Sequence, residues 1–126
     1  MILGLGTDLV EIPRIERSLS RFGERFARRI LAESEFAEYS RNARPAAFLA
    51  KRFAAKEAFS KAMGTGLRHP VRWKNIIVGH DLAGKPELLF SAELQPLVDA
   101  RRCRAHLSIT DERSIACAFV VLESRS

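Results

Sequence analysis

Positions 48–63, FLAKRFAAKEAFSKAM, carry apolar residues at helical spacing over more of the wheel than a surface helix needs. Phe48, Ala55, Phe59, Ala62 and Met63 share one side, Leu49, Phe53 and Ser60 the next, and Ala50, Ala54, Glu57 and Lys61 a third. The pattern predicts a largely buried helix that nonetheless carries Arg52, Lys56, Glu57 and Lys61. Buried charge needs an opposite charge, a metal or a ligand. Spacing alone favours an ordinary surface pair of Glu57 and Lys61, worth roughly 0.2–0.5 kcal/mol, over a binding site on that stripe. The alanines at 50 and 54 clear bulk beside it.

Alternation over 2–10, ILGLGTDLV, predicts a strand with Leu3, Leu5, Thr7 and Leu9 on one face and Gly4, Gly6, Asp8 and Val10 on the other. The Asp8 face is thinned by its glycines, which suits close approach of a ligand or of another backbone. Capping of the following turn is the plainer use of Asp8. Gly4 and Gly6 lack the third glycine of a dinucleotide-binding loop.

Pro13 suits a first helical position, and 14–30 places Arg14, Arg17, Arg21, Arg25, Arg28 and Arg29 on one arc beside Ile15, Leu19, Phe22, Phe26 and Ile30. Gly23 is a point of interruption. A solvated face explains such a stripe, but arginine without lysine favours carboxylate or phosphate recognition, because its planar fork binds both bidentately. A short helix is expected over 33–40, a breaker over 42–45, and an end to the long helix at Gly64 and Gly66. Segments 71–78 and 86–90 read as a hairpin turning at Gly84. Ser91 caps a helix to about 102 that Pro96 shortens. Segments 104–110 and 114–122 form a second hairpin turning at 111–113, with His106, Ser108 and Thr110 on one polar face.

The order is strand, helices, hairpin, helix, hairpin: an α+β chain forming a single domain over 1–126. A net charge of +6 and a pI near 10.0 call for an anionic partner. A small basic nucleic-acid-binding domain is the alternative reading. One Trp and one Tyr offer little base stacking, and that reading leaves Asp8 and Glu57 without a purpose. No apolar run nears the roughly 20 residues of a membrane span, and the N-terminus lacks a basic signal-peptide start, so a cytoplasmic location without membrane contact is expected. Cys103 and Cys117 read as reduced thiols, and His69, His80 and His106 lack zinc-ligand spacing.

Asp8 in GLGTDLVEI, followed by FAAKEAFSKA, the GTG after it, the GKP turn at 84–86 and HLSITDERSIACAFVVLE, resembles the holo-acyl-carrier-protein synthases, the small trimeric branch of the 4′-phosphopantetheinyl transferases. The resemblance covers nearly the whole chain. It implies transfer of 4′-phosphopantetheine from coenzyme A to a serine of apo acyl carrier protein, with release of adenosine 3′,5′-bisphosphate. It further implies Asp8 and Glu57 as ligands of Mg²⁺, Lys61 as a phosphate contact, and Arg52, Lys56, Gly64 and His106 around the coenzyme. Arg14, Arg21, Arg25, Phe26 and Arg29 become the contacts to an acidic carrier protein, and a homotrimer with sites between subunits is expected. Asp111 and Ile115 depart from a commoner family form with His and Tyr, and neither is given a coenzyme role.

Overall fold

A computed structural model describes residues 1–125. The strand β1 (Ile2–Glu11) is followed by α1 (Ile12–Phe22), α2 (Glu24–Ile30), α3 (Glu33–Ser40), the long α4 (Pro45–Met63), a 3₁₀ turn at Trp73–Asn75, β2 (Ile76–His80), β3 (Pro86–Phe90), α5 (Gln95–Ala100), β4 (Cys103–Glu112) and β5 (Ile115–Ser124). The α+β order predicted from the sequence is present. β1, β5 and β4 form an antiparallel sheet in that order, and β2 pairs with β3 in a second.

Alternation decides which face of the larger sheet is covered. Gly6 and Val10 of β1, Ala116, Ala118, Val120 and Leu122 of β5, and Leu107 of β4 are buried, and α4 lies over β1 and β5. Ala58 and Ala62 of α4 meet Gly4 and Gly6 so closely that a methyl group added at Gly6 would sit 1.9 Å from the Ala58 carbonyl oxygen. The opposite face leaves Leu3, Leu5, Leu9, Ile115 and Phe119 exposed.

Boundaries differ from the sequence reading for local reasons. Gly23, at φ 66°, turns the predicted 14–30 helix into two, so the arginines divide between α1 and α2. Pro45 opens α4 three residues earlier than predicted, since its fixed φ suits the first turn. The 91–102 helix shortens to α5, with Pro96 in its first turn. The second hairpin reverses at Arg113, φ 52°, and Ser114, so β4 runs past its expected end to Glu112 while β5 begins at Ile115, just after its expected start.

α4 also explains two of its charges. Glu35 of α3 is 1% exposed, Lys56 is 0% and Arg52 is 4%. Lys56 Nζ donates to Glu35 Oε1 at 2.5 Å, the Ile30 carbonyl at 2.7 Å and the Trp73 carbonyl at 2.9 Å. Arg52 donates to Glu35, to Glu38 and to the Val78 carbonyl. Glu35 also accepts from the Ala32 and Val78 amides. Burial pulls the Lys56 ammonium down to about 8, although Glu35 holds it up. Three acceptors converging on one nitrogen require all three ammonium hydrogens. The network fastens α2, α3, the 3₁₀ turn and β2 to α4.

Candidate active site

Asp8 sits on the α4 side of β1, where Gly4 and Gly6 let helix and strand approach closely. Glu57 projects from α4 nearby, and the two negative charges sense each other. Burial, and then Asp8, raises the Glu57 pKa above 4.5, while Trp73, Lys61 and Arg14 pull it back. Lys61, one turn beyond Glu57, donates to Asp8 Oδ1 at 3.0 Å and to the Thr7 carbonyl at 3.0 Å. The i, i+4 surface pair expected from spacing is therefore replaced by a cross-element pair. Lys61 remains 55% exposed and Asp8 16%, so the site opens to solvent.

Asp8 and Glu57 suit a hard divalent cation. The glycine cradle keeps α4 and β1 in close contact beside them, and a lysine ammonium rests on Asp8 as a monovalent stand-in. Among the described residues no group of three or more His, Cys, Asp or Glu side chains is placed to hold a metal ion. Two carboxylates are what Mg²⁺ typically takes when phosphate oxygens and water complete its octahedron.

The other sequence-derived candidates divide. Arg14 reaches the site through its charge, and Gly64 ends α4 in the left-handed conformation at φ 74°. Lys56 does not fit coenzyme contact, because its three ammonium hydrogens are committed within the buried Glu35 network. Arg52 is tied to the same network through both terminal nitrogens and also lines a cleft with Lys51, His80 and Asp111. Ala50 and Ala54 are fully buried, so they fill core and clear no space beside the site. His106 lies on the opposite face of the sheet, with Nε2 3.0 Å from Glu123 Oε1. Within one copy it cannot join Asp8 and Glu57.

Arg14, Arg21, Arg25 and Arg29 are exposed. Phe22, Arg25, Phe26 and Arg29 line a small apolar cleft, while Arg25, Arg28 and Arg29 of α2 face Arg72 and Lys74 across a larger basic one of about 580 Å³. Sequence reasoning missed Glu35 and Trp73. The signal for Glu35 was present: two cations on a helix this apolar demand a buried carboxylate, and three glutamates stand in 33–38. Trp73 had no comparable signal.

Two carboxylates beside a lysine, on an α+β frame with a surplus of basic side chains, have the chemistry of a site for a cation and a phosphate-bearing substrate. The family model for the 4′-phosphopantetheinyl transferase superfamily matches residues 4–120. A holo-[acyl-carrier-protein] synthase of Nitrosomonas eutropha is 61% identical over 98% of this chain and 99% of its own. The crystal structure of that enzyme from Neisseria meningitidis matches with a TM-score of 0.95 at 46% identity, covering 98% of this chain and 100% of that one. The Bacillus anthracis enzyme, in complex with CoA (3′,5′-ADP), matches with a TM-score of 0.82 at 42% identity, covering 99% of both chains. The chain belongs to the 4′-phosphopantetheinyl transferase superfamily, on the branch of the holo-[acyl-carrier-protein] synthases. The nucleic-acid-binding alternative finds no support among these relatives.

Proposed function

We propose that the chain transfers 4′-phosphopantetheine from coenzyme A to a serine of apo acyl carrier protein, in a Mg²⁺-dependent reaction of fatty acid biosynthesis in the cytoplasm. The serine hydroxyl gives up its proton, which is released to solvent, its oxygen bonds to the phosphorus that bears pantetheine, the pyrophosphate P–O bond breaks, and adenosine 3′,5′-bisphosphate leaves. The observation that carries this reading is the Lys61–Asp8 pair, which ties β1 to α4 one turn beyond Glu57, in a chain so similar to enzymes of that name.

Asp8 and Glu57 would hold Mg²⁺, which supplies charge neutralisation on the pyrophosphate. Lys61, exposed and on a flexible stem, exchanges Asp8 for a phosphate oxygen and stabilises the charge that develops on it. Positioning carries most of the remaining catalysis, since phosphoryl transfer asks little covalent chemistry of the protein. Gly64, at the end of α4, lets the backbone pass close to the coenzyme. Arg14 links the carrier-protein surface to the reacting centre through its field at Glu57.

The exposed apolar face formed by Leu3, Leu5, Leu9, Ile115 and Phe119 supports assembly into a homotrimer, because covering it removes several large side chains from water. His106 shares that face. A coenzyme role for it therefore requires a site shared between neighbouring subunits.

Mass spectrometry of an apo carrier protein incubated with the enzyme, Mg²⁺ and coenzyme A tests the activity. Gain of one phosphopantetheine is expected, and an unchanged mass refutes the reading. Arg21→Glu is expected to weaken carrier-protein binding roughly tenfold at low salt and less as salt rises. Coenzyme A affinity stays unchanged in calorimetry, and equal loss of both affinities contradicts the division of surfaces.

The raised Glu57 pKa gives a second test. A carboxyl whose folded pKa exceeds its unfolded 4.5 contributes stability that is complete below 4.5 and is lost as pH rises through the folded value. Mg²⁺ needs the ionised form, so its effect has the opposite sign. The Tm increase produced by Mg²⁺ with coenzyme A is expected to be larger near neutral pH than at about pH 5. A pH-independent increase, measured by calorimetry, removes Glu57 from the metal site.

A further inference from the structure

We infer that Trp73 is a positioning residue for Glu57: its indole N–H, poised beside the carboxylate, donates to the Glu57 oxygen lone pair that the metal leaves free and so fixes the ligand's orientation. The inference rests on the proposed Mg²⁺ site.

Trp73 Nε1 is the one buried side-chain nitrogen or oxygen without a hydrogen-bond partner among the described residues. An orphaned N–H of this kind costs about 1–3 kcal/mol, so its persistence calls for an acceptor engaged in another state. Glu57 is that acceptor. It stands one turn beyond Phe53, whose ring packs on the indole, and next to Lys56, which donates to the Trp73 carbonyl, and no hydrogen bond between indole and carboxylate is closed.

The ring packs on Phe53, and the turn that carries it is fixed at two further points. Lys56, adjacent to Glu57 in sequence, donates to the Trp73 carbonyl at 2.9 Å. Phe53, one turn before Glu57, packs against the indole with centroids 5.8 Å apart. The Asn75 side chain, in the same 3₁₀ turn, donates to the Pro70 carbonyl at 2.9 Å. Phe53, Lys56 and Glu57 thus present one side of α4 to the turn. The buried Glu35–Lys56 pair acquires a function through this chain of contacts: it holds Trp73 in place, and Trp73 holds Glu57. An ionised carboxylate offers about four acceptor positions, and a metal taking one or two leaves room for the indole. Partners of this kind typically change metal affinity by about 10–100-fold.

Trp73 is the sole tryptophan, so its indole gives one ¹⁵N–¹H resonance. That resonance is expected to move when Mg²⁺ is titrated into the coenzyme A complex, without carrier protein, and to move little in Glu57→Ala. In the same titration followed by calorimetry, Trp73→Phe, which keeps the ring against Phe53 and removes only the N–H, is expected to raise the Mg²⁺ midpoint roughly tenfold. Coenzyme A affinity without metal should not change. An indole resonance that responds to Mg²⁺ equally in wild type and Glu57→Ala overturns the inference, as does a wild-type midpoint in Trp73→Phe. A wild-type protein that binds no Mg²⁺ overturns the metal reading and this inference together, whereas the preceding two results overturn the role of Trp73 alone.

Discussion

Asp8→Ala and Glu57→Ala are each expected to lower Mg²⁺-dependent transfer by at least about 10³-fold while the protein stays folded, because several kcal/mol of charge stabilisation disappear with one ligand. Neither substitution opens a cavity of consequence. Asp8 stands opposite Ala118 at the edge of the glycine cradle, and Glu57 is half-buried. Lys61 loses one partner in Asp8→Ala but keeps the Thr7 carbonyl and remains exposed. If the two carboxylates serve one ion, the double variant should be scarcely worse than either single one, since the first substitution already removes the shared ligand. Single-turnover transfer, measured by carrier-protein mass, checks both statements. Wild-type turnover in metal-depleted Asp8→Ala sinks the assignment, and full additivity of the two losses argues for separate roles.

Legibility in the sequence followed how local each determinant is. The burial of α4 was readable because its apolar residues cover most of the wheel, and Phe48, Phe59 and Met63 are indeed core. Glu57 and Lys61 alone looked like a surface pair. Only Asp8, some fifty positions away, gives them another meaning, and spacing cannot report a contact between a strand and a helix so distant in sequence. The resemblance to a family supplied that link. It also carried Lys56 to the coenzyme, where burial denies it direct contact. Two cations on one helix announce a need for a carboxylate, but they do not say whether it belongs to a ligand or to the protein. Here it is Glu35, on a helix whose polarity hides its burial. Trp73 was invisible for a different reason: an indole in a short turn reads as packing, and only the structure shows that its N–H is buried without a partner.

Gly6→Ala is expected to cost about 3 kcal/mol or more and to lower Tm by roughly 10 °C, although it adds a single methyl group. The new Cβ would lie 1.9 Å from the Ala58 carbonyl oxygen, 2.8 Å from the Ala62 nitrogen and 2.9 Å from the Ala58 carbonyl carbon. All three are backbone atoms, so no rotamer change relieves them. β1 cannot retreat, because Gly6 pairs with Val120 in a ladder that runs the length of both strands. α4 must lift instead, and it is anchored on its other sides by the fully buried Phe59 and by Lys56 in the Glu35 network. The strain therefore falls on the contact between α4 and β1, which also sets the separation of Glu57 and Asp8. Protein that survives folding should bind Mg²⁺ more weakly in the coenzyme A complex, with coenzyme A affinity in the absence of metal less affected. Differential scanning calorimetry and a Mg²⁺ titration separate the two effects. A Tm within about 2 °C of wild type would show that α4 and β1 have slack at this crossing, and the glycines of β1 would then not be what brings the two carboxylates together.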